Sequence, residues 1–237
     1  MIMKTMKIFF FLFVAGVMVG CSKNDGEDNG EPWNPGLLAT DPVPSKAFDP
    51  LFYIWCTKTF DKNGDGILQY GEIMSEAEMV ANYTGYDDYK EIARQITSLK
   101  GIEYFTGLKR LYWYGECNLS SVDLSKNILL EDIFLFYGKL TILDVSKNTV
   151  LKRLWCQGGS SLDSKGILKT LILGKNQLVL EELDCSYNQI SSLDVSGCLS
   201  LKKLNGSYNP LEKIYVWKGW TKPYRWYYSE SVQIIEK

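Results

Sequence analysis

The sequence predicts a mostly β architecture (α+β overall): a solenoid of short stacked coils behind a small helical cap. Three observations predict it. Apolar residues return every 21 positions along the C-terminal half, as from Val122 to Leu143 and from Leu183 to Leu204. Around each return they alternate with other residues, the period of a strand that buries one face. Ahead of the repeats, a loop rich in acidic residues and glycine separates two helix-like segments. The composition permits such a core, because the 237 residues are 46% hydrophobic, 14% aromatic and 23% charged, with a formal charge of −2. This balance is too apolar for disorder and too weakly charged to favour nucleic acid. The chain has no histidine. Ser-His and Cys-His nucleophile pairs, His-ligated zinc and the usual base near neutral pH are thereby removed.

Residues 1–20 read as a signal peptide. Lys4 and Lys7 form a basic start, and residues 8–20 are an apolar run of 13. At about 1.5 Å per residue that run reaches roughly 20 Å, short of the ~30 Å hydrocarbon core, so it suits secretion rather than spanning. Its end, Met18-Val19-Gly20-Cys21, resembles the bacterial lipobox. The resemblance implies lipidation at Cys21 and a membrane attachment by lipid anchor only. An ordinary cleavage site beside a coincidental cysteine is the alternative. Residues 21–47 carry four of the seven prolines among acidic and small polar residues, and read as a flexible tether. The acidic run at 25–28 resembles export signals of lipoproteins in some Gram-negative gut anaerobes, although Ser22, Lys23 and Asn24 precede it. It implies display on the surface of a bacterial outer membrane.

Residues 48–95 form the expected cap. Asp49 as N-cap and Pro50 in the first turn start a helix over 51–60, with Phe52, Trp55, Cys56 and Phe60 near one face. Residues 61–72, DKNGDGILQYGE, match the EF-hand loop template. Asp61, Asn63 and Asp65 would offer side-chain oxygens, Ile67 its carbonyl and Gln69 a further contact, with Glu72 closing the site through both oxygens. Gly66 permits the sharp turn, and Leu68 would pin the loop to the core. A polar turn between two helices is the alternative. The exiting helix is expected from Tyr70 to about residue 80, and another at 86–95. The resembling dockerin modules carry two loops, whereas this chain has one. A lone loop implies structural Ca2+, with an affinity of about 10⁻⁴–10⁻³ M.

Residues 96–217 form the expected solenoid. Its clearest copies are LSSVDLSKN (119–127), LTILDVSKN (140–148) and ISSLDVSGC (190–198). Between them lie LKRLYW (108–113), LEDIFL (130–135), LKRLWC (151–156), LEELDC (180–185) and LKKLNG (201–206). A period of 20–29 residues with L-x-x-L-x-L spacing is that of leucine-rich repeats. One strand wall would turn Leu111 and Trp113, Ile133 and Leu135, Leu154 and Cys156, Leu183 and Cys185, and Leu204 inward. Val122 and Leu124, Leu143 and Val145, Leu171 and Leu173, Leu193 and Val195, and Ile214 and Val216 would line the other. Asn127, Asn148, Asn176, Asn188 and Asn209 fall at the corners, where an amide can satisfy stray backbone groups. Residues 157–173 are overlong for one coil, so a loop must bulge there. Residues 218–237 form an aromatic C-terminal cap, needed because a solenoid end must be sealed. Lectin-like sugar binding by Trp220, Trp226 and their neighbours is the alternative.

Residues between the inward positions face outward, and over the first coils they are aromatic. Tyr112, Phe134 and Trp155 form one row, continued by Asp184 and Asn205; Tyr114 and Phe136 belong to the next. If open to solvent they form an apolar patch rimmed by charge, suited to a protein partner. The alternatives are rings that stack along the sheet or lie beneath the cap, and a platform for a glycan. Acids such as Asp132, Glu182 and Asp184 share the face, but no spacing marks a catalytic pair. Cys156 and Cys185 would be adjacent, as buried thiols or as a disulfide.

The segment ITSLKGIEYFTGLKRLYW (96–113) resembles the internalin-like class of leucine-rich repeats. Together with the EF-hand-like loop and the LDVSKN coils, it resembles a family of bacterial surface lipoproteins over about residues 48–217. The resemblance implies a non-catalytic surface lipoprotein that presents a repeat face to another protein. A carbohydrate-binding surface module is the second reading.

Overall fold

The computed structural model describes residues 38–81, 88–114, 118–136, 138–159, 166–175, 177–223 and 225–237. The expected signal peptide, Cys21 and most of the tether lie outside them, as do Cys117, Asn176 and Tyr224. The described residues belong to one compact unit, Pro32–Lys237. Among them, no helix is long and apolar enough to cross a membrane.

Helix α1 (Pro50–Phe60) starts as Asp49 dictates: its carboxylate accepts from the N–H groups of Leu51 and Phe52. Phe52, Trp55, Cys56 and Phe60 are all buried. The exiting helix is far shorter than expected. Helix α2 (Tyr70–Ile73) makes one turn, and the chain then becomes strand β1 (Glu78–Ala81). Met79 and Ala81 point inward with a strand's alternation, and β1 pairs in parallel with β2 (Arg110–Trp113). Without it, β2 would offer an unpaired row of backbone groups. Helix α3 (Asp88–Gln95) follows and packs on α1.

The repeats build two parallel walls. The first adds β3 (Asp132–Leu135), β5 (Arg153–Trp155), β7 (Glu182–Asp184) and β9 (Lys203–Asn205) to β1 and β2. It ends on β11 (Arg225–Tyr227), so the aromatic tail is a further coil of this wall as well as an end seal. The second wall is interrupted: β4 (Ile142–Asp144) pairs with β6 (Thr170–Ile172). A separate sheet joins β8 (Ser192–Asp194), β10 (Lys213–Val216) and β12 (Gln233–Glu236). The registers align Met79, Leu111, Ile133, Leu154, Leu183, Leu204 and Trp226 in one buried column. The assigned inward residues of both walls are buried, except Val122, which is half-buried. The bulge expected in the third coil falls on residues 160–165, outside the described residues; on either side of them the chain closes so tightly that a Cβ on Gly158 would stand 2.3 Å from the amide nitrogen of Gly166.

Buried amides clasp the corners. Asn127 Nδ2 donates to Ile102 and Phe105 carbonyls, and Asn148 Nδ2 to those of Leu124 and Asn127. In the overlong coil the buried corner amide is Gln177, which donates to Val145 O. Asn188 and Asn209 do the same on the other corner, each reaching Cys185 O. Tyr187 and Tyr208 precede them with φ of 55° and 59°, and their rings stack 4.2 Å apart.

Candidate functional site

The strand pleat turns alternate side chains of the first wall away from the core. Three outward rings form a continuous stack, Phe134 lying 4.8 Å from Tyr112 and 4.7 Å from Trp155. Tyr114 and Phe136 form a parallel pair at 5.3 Å. Parallel register places these rings about one strand spacing apart, which matches offset stacking. Stacking buries Phe134 to 8% exposure, so at this ring the stacked alternative holds rather than the open one. Tyr112, Tyr114, Phe136 and Trp155 stay half-buried. Ring faces are thus turned on one another, and the row presents its edges to solvent.

A charged row runs beside the rings. Arg110 pairs with Glu78 at 3.2 Å, and Arg153 grips Asp132 through two bonds of 2.6 and 2.7 Å. Lys203 pairs with Glu182. Asp132 is buried by that grip although its position faces outward. A bidentate guanidinium–carboxylate pair is strong and directional, and its bonds hold the Arg153 charge beyond any ordinary titration. Burial pushes the Tyr112 and Tyr114 hydroxyls up, reinforced for both by Glu78 and for Tyr112 also by Asp132. Past Trp155 the face turns polar. Asp184 accepts from Ser186 N–H and hydroxyl and from Asn205 Nδ2.

The acidic loop belongs to the cap, directly after α1. Gly64 and Gly66 adopt φ of 73° and 81°, the left-handed turns its tight course requires. Asp61 accepts from the Gly64 and Gly66 N–H groups, Asn63 from Asp65 N–H, and Asp65 from Ile67 N–H. Asp65 Oδ2 collects the amides of Asn63 and Gln69, and its carboxyl is held below the usual range, chiefly by the Ile67 N–H. Glu72 Oε1 takes Lys62 and Asn63 N–H, and Oε2 takes Gln69 N–H. The donor set is all oxygen and fits a hard cation. In this conformation amide hydrogens, not a shared centre, gather those oxygens. Among the described residues, no three His, Cys, Asp or Glu side chains are grouped to hold a metal.

Cys56, Cys156, Cys185 and Cys198 are buried free thiols. Burial pushes Cys185 and Cys198 up to about 12, and Cys56 and Cys156 well above the ordinary value. Such thiols are inert packing groups. Sequence reasoning missed Arg225 and Tyr227, which β11 brings onto the same face. The signal was Trp226, a bulky apolar residue 22 positions beyond Leu204, close to the 21-residue return.

Parallel strands stacked over a shared apolar spine define a mostly β fold, consistent with a leucine-rich-repeat-like solenoid. No family model matches the chain, and no curated protein matches it. Among solved structures it is similar to an internalin, InlF, from Listeria monocytogenes. The two are 19% identical over 84% of this chain and 72% of that one, with a TM-score of 0.36. It is also similar to the functional domain of InlJ from Listeria monocytogenes, at 19% identity and a TM-score of 0.29. That match covers 73% of this chain and 51% of the InlJ chain, so this chain spans about half of that length.

Proposed function

We propose that this chain is a non-catalytic, lipid-anchored protein of the bacterial outer-membrane surface that presents the aromatic end of its first wall to another protein. The observation that carries the reading is the ridge of Tyr112, Phe134 and Trp155 with Tyr114 and Phe136 beside it. Ring edges held rigid by stacking, next to charges already cancelled in pairs, supply apolar contact at low entropic cost. The neighbouring acids support a non-catalytic role. Asp132 and Glu182 sit in ion pairs, and Asp184 caps its own turn. Residues 32–237, immobilised as bait against surface extracts, should capture a protein that Tyr112→Ser and Phe134→Ser release. Capture undiminished in both variants, with their circular dichroism unchanged, refutes the ridge as the contact.

Calcium bracing of the cap belongs to the same proposal. Asp61, Asn63, Asp65, Gln69 and Glu72, with the Ile67 carbonyl, would hold the ion, which would draw together oxygens that now accept from backbone and amide N–H groups. Millimolar calcium should raise the melting temperature relative to chelator, and Glu72→Gln should remove that difference. Identical melts for the parent protein would count against the ion.

A further inference from the structure

Beyond the ridge, the first wall carries a notch. Between Trp155 on β5 and Tyr227 on β11, its middle row holds only the short side chains of Asp184 and Asn205. Three strand spacings, about 14 Å, separate the two aromatic walls. The space between them is about 560 Å³, flanked by Glu182, Lys203 and Arg225. That volume lies within the range of small-ligand sites.

Its chemistry differs from the ridge in three respects. First, Phe134 has a ring stacked on each face, whereas Trp155, the last ring of the ridge, stacks on Phe134 alone, with Phe136 tilted beside it at 6.3 Å. The other indole face looks toward Asp184, and Tyr227 closes the far side at 56% exposure. Second, the polar groups retain hydrogen-bonding capacity. Asp184 Oδ2 accepts one bond from Asn205, leaving a second lone-pair site. Lys203 uses one donor on Glu182, and the Arg225 guanidinium has no hydrogen bond or ion pair among the described residues. Third, the charges cancel: Glu182 and Asp184 against Lys203 and Arg225. An anion would meet the two carboxylates, and a cation the two basic groups. A ligand that carries many donors and acceptors, no charge and an apolar ring face meets neither cost.

We propose that this notch binds an uncharged pyranose ring of a glycan, stacked on the open face of Trp155. Asp184 and Asn205 take its hydroxyls from below, while Lys203 and Arg225 donate from the side. The site shares Trp155 with the ridge, takes its polar groups from the coils beyond it, and does not depend on what the ridge binds.

The test uses the full chain in detergent and a printed panel of neutral hexose, N-acetylhexosamine and uronic-acid oligosaccharides. A neutral member should bind, and titration of that sugar should show Trp155→Ala and Asn205→Leu each about tenfold weaker or worse. Asn205→Leu and Arg225→Met change only side chains at the sheet surface, and their melting curves control for folding. Tyr112→Ser should lose protein capture and keep the sugar, which separates failure of the ridge from failure of the notch. The proposal is overturned if no neutral sugar binds at millimolar concentration, or if binding survives Trp155→Ala and Asn205→Leu. Uronic acids as the sole ligands overturn it too. So would loss of protein capture by Arg225→Met without any sugar binding, which would assign the notch to the protein partner.

Discussion

Strands β2 and β3 of the first wall and strands β7 and β9 share one backbone spacing, yet they differ in both layers. In β2 and β3 the outward row is aromatic, and the second inward column carries Trp113 and Leu135. By β7 and β9 the outward row is Asp184 and Asn205, and the same inward column has shrunk to Cys185 and Gly206. Strand β5 is the hinge between them, with Trp155 outside and Cys156 within. The large end has a reason in the cap: Trp113 packs 5.2 Å from Trp55 and 6.2 Å from Phe52. A wide spine is needed where α1 must be gripped. What stays constant is the first inward column, from Met79 to Trp226, which therefore holds the fold while the outward row is free to differ.

The sharpest test of that division exchanges neighbours on one strand. Leu154→Ala empties a fully buried site and should cost about 2–5 kcal/mol in urea denaturation. Trp155→Ala, one residue on, loses stacking and should cost about 0.5–1.5 kcal/mol. Equal costs would break the distinction between spine and face.

The narrow end should also betray itself at alkaline pH. Cys185 and Cys198 are pushed up to about 12 by burial, and Cys156 well above the ordinary thiol value. An unfolded thiol ionises near about 8.5. Stability is thus fully present below that pH and is lost as pH climbs toward 12, because only the unfolded chain releases the protons. Urea midpoints should fall between pH 8 and 10 (a span set around the thiol value), and Cys185→Ala should flatten the slope. A slope that Cys185→Ala leaves unchanged would place the alkaline sensitivity elsewhere.

The smallest expected difference lies between two ion pairs. Arg153→Met strands the buried Asp132 carboxylate and should cost about 1–3 kcal/mol. Lys203→Met frees a partly exposed Glu182 and should cost about 0–1 kcal/mol. A reversal in their order would show that the aromatic end does not bury its charges more deeply.

Much of this was legible in the sequence because the repeat is written twice, in the period of two and in the return at 21. Ile133 and Leu154 are buried as that alternation demands. Direction alone, however, does not give burial: Phe134 faces outward and is still enclosed, because neighbouring coils supply rings at the same height. Residues 78–81 read as a helix continuing from Tyr70, since four residues are too few to establish alternation. What makes them a strand is the edge of β2, a tertiary demand. The overlong third coil carries its corner amide on Gln177, and no spacing from intact copies could anticipate that. The loop at 61–72 was plain as a pattern, while the internal bonds of Glu72 were not.

The corner amides give the molecule a polarity. Asn127, Asn148 and Gln177 each extend their N–H groups backward, to carbonyls of the preceding coil, while their own side-chain oxygens have no partner among the described residues. At these corners the side-chain link is made by the later coil on the earlier one, while backbone N–H groups such as those of Val145, Cys156 and Cys185 donate to the coil ahead. Removing one such amide should therefore loosen the join to the coil before it and leave the join to the coil after it intact.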